Sequence, residues 1–168
     1  MYRVVQFWRA VTAQVRPEEL AAIASTLGPS GMALFGRLSR NDQRHSLNVY
    51  ATLVAQGHRD PALLTAALLH DVGKTASHLS LPYRVAVVLL RAFAPRLLTR
   101  LEANGDSPLF SPFLVSGAHA AIGAQLVAAA GCSDTVVALV RRHHECAFDP
   151  VDPLAQPLTV LREADELN

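Results

Sequence analysis

The chain has 168 residues, of which 51% are apolar and 17% charged. This length suits one domain with its own hydrophobic core, and the apolar content excludes an intrinsically disordered chain. The 15 basic and 14 acidic residues nearly balance and there are only two cysteines, which argues against a long nucleic-acid-binding surface and a disulfide framework, so we expect a cytoplasmic protein with reduced thiols.

Apolar residues recur mostly at three- and four-residue steps, and strand-like alternation is scarce, so the pattern predicts an all-α fold. A first helix is predicted over 17–28, because a proline and two acids open it and Gly28-Pro29 closes it. A second, capped by Asn41 and Asp42, is predicted to run to about Gly57. A third is predicted over 60–73, from an Asp-Pro pair to a glycine.

The most apolar segment of the chain is 79–101, which four arginines interrupt, namely Arg84, Arg91, Arg96 and Arg100. A membrane span needs about 18 uncharged apolar residues, so none is expected. The spacing predicts amphipathic helices broken near Pro95. Such helices usually pack on their own domain, and weak association with a membrane surface is the alternative.

The C-terminal part of the chain is predicted to hold three more helices. Residues 104–116 contain a glycine and two prolines and are predicted to form a loop. Helices are then predicted over 117–130 and 133–145. A rigid turn is predicted over 149–153, and the last helix is predicted to start near Pro157.

The sequence Leu68-Leu69-His70-Asp71-Val72-Gly73-Lys74 is the central chemical feature. It follows an apolar helix that must be mostly buried, and a buried carboxylate is costly unless a cation neutralises it. A glycine turn lets adjacent side chains converge, which neighbours within a helix do not do. Considered alone, the His-Asp pair has an alternative explanation: it is a capped helix end with the histidine packed in the core.

Further polar side chains are predicted to point inward from other helices, because each shares a helical face with apolar residues. These residues are His45, His119, His143, His144 and Asp165. With His70 and Asp71 they make five histidines and two aspartates on five helices. One domain does not bury so many polar groups without a common partner, and a divalent transition metal suits imidazole and carboxylate ligands.

The order of His45, His70-Asp71 and Asp165 resembles that of the HD-domain metal-dependent phosphohydrolase superfamily. ALLHDVGK is similar to its signature motif, and LREADEL is similar to its closing aspartate motif. His119-x-x-x-Gly123, followed by His143-His144-Glu145, resembles the longer motif of HD-GYP and related cyclic-dinucleotide phosphodiesterases. The resemblance covers about residue 42 to the end of the chain, and it implies a helical bundle with an HD domain over 41–168. Helices within 1–40 are expected to pack on that domain.

The resemblance also implies a ligand set. One ion would be held by His45, His70, Asp71 and Asp165. Asp71 would bridge to a second ion, held also by His119 and by His143 or His144. His143 is the first choice of these two, and His144 alternatively faces the substrate. The metal is not distinguishable among iron, manganese, zinc, cobalt and nickel.

The activity implied is hydrolysis of a small, nucleotide-like phosphoester or phosphoanhydride by a metal-activated water, with Asp71 and Lys74 as the catalytic residues. Lys74 would neutralise phosphate oxygens, or would be a solvated cation at the end of its helix. CAFDPVDP replaces the Gly-Tyr-Pro loop of the HD-GYP family, which weakens the case for a cyclic dinucleotide. A cyclic-dinucleotide phosphodiesterase and a non-catalytic, metal-containing binding module are the alternatives.

Overall fold

A computed structural model of the chain describes residues 14–76, 90, 93, 94, 96, 97, 100, 111–149 and 151–168. Within these residues the chain forms helices and turns and no strand, so the all-α prediction is confirmed. The α-helices are α1 (Pro17–Arg37), α2 (Arg40–Ala55), α3 (Pro61–Leu69), α4 (Ser111–Ala129), α5 (Asp134–Arg142) and α6 (Ala155–Glu166), and a 3₁₀ helix spans Val72–Ala76.

Helix α1 is interrupted at Gly28, so the predicted end of the first helical stretch is confirmed, although a second stretch follows directly. Gly28 has a φ of 62° and a ψ of −179°, a conformation that is essentially open only to glycine. The first helical stretch therefore does end at Gly28, but Pro29 opens a second stretch at once, since proline suits a first turn. The result is one long helix with a kink.

The ends of α2 and α3 follow local capping chemistry. Ser39, rather than Asn41 or Asp42, caps α2, because its hydroxyl accepts the Asp42 backbone N–H. Asp60 caps α3 as predicted, and its carboxylate accepts the Leu63 N–H at 2.7 Å. Helix α3 stops at Leu69 and gives way to the 3₁₀ helix, so the turn begins before Gly73.

Three boundaries in the C-terminal part differ from the prediction. Helix α4 begins at Ser111, so 111–116 is helical rather than a loop, and α6 begins at Ala155. Pro112 and Pro157 fall in these first turns, where a missing N–H costs nothing. Helix α5 ends at Arg142 instead of Glu145, while the predicted turn is present, with Asp152 N–H donating to Asp149.

Helix α3 lies at the centre of the core. Every residue from Leu63 to Leu69 is buried, which is typical of a helix that is apolar on all sides. Helices α1, α2, α5 and α6 all pack against it. One hydrophobic cluster includes Phe35 of α1, Leu53 of α2, Leu139 of α5 and Leu161 of α6. This packing fixes the C-terminal end of α3, where His70 and Asp71 lie.

The 3₁₀ helix packs directly on α4. A Cβ atom built on Gly123 would lie 3.2 Å from the backbone nitrogen of Gly73. Two glycines therefore let the two backbones come together. This approach brings Asp71 next to His119, which lies one turn before Gly123.

Most residues of the segment 79–101, which is predicted to form amphipathic helices, lie outside the described part of the chain. Leu90, Phe93, Arg96, Leu97 and Arg100 are helical and Ala94 is not, as the predicted break requires. No helix in the part of the chain that the structure describes is long and apolar enough to cross a membrane. The division of the chain into 1–40 and 41–168 stays a prediction.

Candidate metal centre

Asp71 lies at the junction of α3 and the 3₁₀ helix, and its carboxylate oxygens face two different groups of histidines. Oδ2 lies 3.6 Å from His70 Nε2 and 4.0 Å from His45 Nε2. Oδ1 lies 3.6 Å from His119 Nε2. The side chain is only 3% exposed. A carboxylate in this position can bridge two cations, one on each side.

The first group consists of His45 from α2, His70 and Asp165 from α6. Their ligand atoms all lie within 4.8 Å of one another. His45 Nε2 is 2.8 Å and His70 Nε2 is 3.6 Å from Asp165 Oδ1. The side chain of His70 is 2% exposed, while those of His45 and Asp165 are each 25% exposed. This group is therefore anchored in the core and opens to solvent on one side.

The second group consists of His119 from α4 and of His143 and His144, which follow α5. Their ligand atoms also lie within 4.8 Å of one another, and His144 Nε2 is 2.8 Å from His119 Nε2. Within a helix, adjacent side chains diverge. Because α5 ends at Arg142, both His143 and His144 face this group, with ring centroids 3.9 Å apart. His144 is exposed, contrary to the buried position predicted for it.

His70 and His143 carry the same arrangement of hydrogen bonds. Nδ1 of His70 lies 2.9 Å from the Ala67 carbonyl oxygen, and Nδ1 of His143 lies 2.7 Å from that of Val140. A proton on each Nδ1 leaves Nε2 as a lone-pair acceptor. Both Nε2 atoms are buried and have no hydrogen-bond partner.

Buried polar atoms without a partner are rare, because each costs about 1–3 kcal/mol. Both of these atoms belong to the two groups around Asp71. Imidazoles that donate from one nitrogen to a backbone carbonyl are typical of metal ligands, whose other nitrogen binds the ion. The residues present therefore fit a divalent transition metal.

Opposite charges hold both carboxylates ionised. Burial would raise the pKa of Asp71, but His70 and Lys74 lower that pKa well below its ordinary value. Burial opposes ionisation of Asp165 as well, but a hydrogen bond from His45 and the nearby charge of His70 lower the Asp165 pKa. Burial lowers the pKa of His70, but Asp71 and Asp165 outweigh it and the pKa is raised.

The second group has the opposite electrostatic character. Burial, and then the charge of His70 and His144, lowers the pKa of His143 to about 3. Burial is also the largest cause of the lowered pKa of His144. These imidazoles stay neutral near pH 7, which is the state that binds a metal.

Lys74 extends from the 3₁₀ helix and its ammonium contacts Asp71 Oδ2. Its side chain is 32% exposed, so the ammonium lies between the buried carboxylate and solvent. The prediction of a purely solvated cation is therefore wrong. A cation at this edge is well placed to meet an anionic ligand that enters from solvent.

Sequence reasoning missed the part played by Arg142. This side chain lies 2.8 Å from Glu145 and 2.6 Å from Asp152. Its guanidinium carbon lies 5.9 Å from the ring centre of Phe148. Arg142 thus joins the end of α5 to the turn before α6 and positions the residues beyond His144. The only signal in the sequence was an acid ten residues downstream.

The structure brings the other six predicted ligands and Lys74 together around Asp71, and the assignment of these six and Asp71 as ligands stays a prediction. The family model described as HD domain matches residues 43–168, which includes all of them. No curated protein and no solved structure matches the chain. The superfamily consists mostly of metal-dependent hydrolases. With three quarters of its length matched, the chain belongs to the HD-domain family.

Proposed function

We propose that this chain is a metal-dependent phosphohydrolase acting on a small, nucleotide-like phosphoester or phosphoanhydride. The observation that carries the proposal is the position of Asp71. Its two oxygens face two separate histidine groups, and each group contains a buried Nε2 without a partner. Two divalent cations bridged by the Asp71 carboxylate would explain both the two histidine groups and their buried Nε2 atoms.

In this proposal His45, His70, Asp71 and Asp165 hold one ion. Asp71, His119 and His143 hold the second, and His144 is either a further ligand or a substrate contact. Bound ions would supply Lewis-acid polarisation of a phosphate and would activate water for attack on phosphorus. No serine or cysteine nucleophile is needed.

The protein's own residues contribute binding and charge. Lys74 is 32% exposed beside Asp71, so it can turn from that carboxylate toward a phosphate oxygen. His45 and Asp165, each one quarter exposed, mark the side from which a phosphate reaches the site. The buried helix α3 and the buried face of α5 close the opposite side against water, which strengthens electrostatic interactions within the site.

The experiment is metal analysis combined with a hydrolysis screen on the purified protein. We expect about two equivalents of transition metal per chain and turnover of bis-p-nitrophenyl phosphate with added manganese. Asp71→Asn, which keeps shape and removes charge, should lose both. Asp134→Asn is the matched control, because Asp134 is exposed at the start of α5. Full hydrolysis by metal-free Asp71→Asn protein would overturn the proposal.

A nucleotide panel then selects the substrate. It should contain nucleoside monophosphates, dinucleoside polyphosphates, guanosine polyphosphates and cyclic dinucleotides. A fully loaded site that hydrolyses none of them, with any divalent metal, would instead identify a binding module that uses its metal for structure. Location in the cytoplasm also stays a prediction, which cell fractionation tests.

A further inference from the structure

Charge is distributed very unevenly along this nearly neutral chain. Residues 1–17 and 72–101 contain eight of the 15 basic residues and none of the 14 acidic ones. The basic residues are Arg3, Arg9, Arg16, Lys74, Arg84, Arg91, Arg96 and Arg100. The rest of the chain is therefore net acidic. Both segments are also rich in apolar residues, such as Phe7 and Trp8 in the first.

The described part of the second segment shows where its side chains lie. Phe93 is 83% exposed and Leu97 is 48% exposed, and Arg96 and Arg100 are exposed as well. Because Ala94 is not helical, Phe93 lies before the break, and Arg96, Leu97 and Arg100 lie after it. With Ala94 they line one surface depression of about 480 Å³.

An aromatic ring exposed to this extent is an unfavourable feature for a face that meets only water. Folding against the core does not explain it, because the core cluster contains neither Phe93 nor Leu97. Exposed apolar side chains next to arginines are typical of amphipathic segments that lie in the interface of a membrane. The absence of acids over thirty residues favours an anionic surface.

We propose that the surface formed by Phe93, Arg96, Leu97 and Arg100 binds the face of a membrane that is rich in anionic lipids. Phe93 and Leu97 enter the boundary between headgroups and acyl chains. The arginines remain at the level of the lipid phosphates, as their long side chains allow. The proposal is independent of the hydrolysis proposed above, because the surface contains none of the residues around Asp71.

Co-sedimentation of the full-length chain with lipid vesicles tests this proposal. We expect binding to vesicles of phosphatidylcholine mixed with phosphatidylglycerol and much weaker binding to phosphatidylcholine alone. Binding should fall as salt rises, because the attraction is electrostatic. Arg96→Gln should weaken binding about fivefold, the effect of one basic residue at an anionic surface. Phe93→Ser should weaken it about tenfold.

Two exposed residues elsewhere provide matched controls. Val151 is 84% exposed and Arg37 is exposed at the end of α1, so Val151→Ser and Arg37→Gln should bind as the unchanged chain does. Thermal unfolding should be the same for all four variants, since none loses a core contact. No binding to either kind of vesicle would overturn the proposal and favour an acidic protein as the partner of this surface. Equal binding to neutral and anionic vesicles would also overturn it, because the arginines would then contribute nothing.

Discussion

Gly73 leaves no room for a side chain against His119. A Cβ atom on Gly73 would overlap the carbonyl oxygen of His119 and would lie 2.7 Å from the backbone nitrogen of Gly123. The contact is between backbones, so no rotamer change can relieve it. Asp71 lies two residues before Gly73, and its Oδ1 is 3.6 Å from His119 Nε2. The close approach of the two backbones at Gly73 allows this short distance.

Gly73→Ala is therefore expected to separate the 3₁₀ helix from α4. We expect a loss of about 3 kcal/mol in the free energy of unfolding, at the upper end for overpacking, and loss of metal from the second group. Gly36→Ala is the control, because a Cβ on Gly36 meets nothing within 4 Å. Urea unfolding measures the change in stability of both variants, and metal analysis measures their metal content. A stable Gly73→Ala protein with full metal content would show that the backbones have space to move.

His143 and His144 are adjacent, but their environments predict different roles. His143 is 2% exposed, its Nδ1 is held by Val140, and its Nε2 has no partner. His144 is exposed and contacts His119. We expect His143→Gln to lose about one equivalent of metal, while His144→Gln keeps both and raises KM. Metal analysis of dialysed proteins and steady-state kinetics are the measurements. The reverse result would make His144 the ligand and His143 a core residue.

The sequence predicted much of this site because its signals are local. His45, His119 and Asp165 share faces with apolar residues, so periodicity alone turns them toward the interior. His70-Asp71 follows an apolar helix with a glycine turn, which indicates a buried helix end. None of these patterns required knowledge of a distant residue.

The features that the sequence did not predict depend on contacts across the fold. Helix α5 ends at Arg142, whose guanidinium meets Asp152 ten residues later, and this end allows His143 and His144 to face one group. Pro112 indicated a loop, and Pro157 indicated the start of a helix. In the structure each proline lies in the first turn of a helix that begins before it. Proline tolerates both situations, so local pattern cannot distinguish them.

Lys74 provides a test of how Asp71 is neutralised. Its ammonium contacts the same oxygen, Oδ2, that faces His45 and His70, so it competes with a cation bound there. Lys74→Gln is expected to bind metal several-fold more tightly, because the competing charge is gone, and to lose about 10- to 100-fold in kcat/KM, because a phosphate loses its partner. Metal titration and kinetics measure the two effects separately. Arg37→Gln controls for the loss of one positive charge.

Weaker metal binding by Lys74→Gln, or unchanged hydrolysis, would contradict this account. The first result would mean that Lys74 supports the ligand geometry. The second would mean that the ammonium stays on Asp71 throughout the reaction. Lys74→Arg should restore part of the hydrolysis, because it restores the positive charge.

Glu19 joins α1 to α2 and predicts how stability depends on pH. Its carboxylate lies 2.5 Å from Arg44 and 3.3 Å from Arg16. Hydrogen bonds from Arg44 and then Arg16 lower the pKa of Glu19 from 4.5 to about 2. Because the pKa is lower in the folded chain, the ion pair stabilises fully above the unfolded value, and the stabilisation is lost as the pH falls from 4.5 toward 2.

Glu19→Gln is therefore expected to destabilise the chain by about 1 kcal/mol near pH 7, a value reduced for solvent screening of a partly exposed pair. The difference from the unchanged chain should shrink as the pH falls toward 3. Denaturant unfolding at a series of pH values measures it, and Glu18→Gln, at an exposed neighbour, is the control. A difference that stays constant with pH would show that Glu19 acts through packing or helix propensity, since neither depends on the charge of its carboxylate.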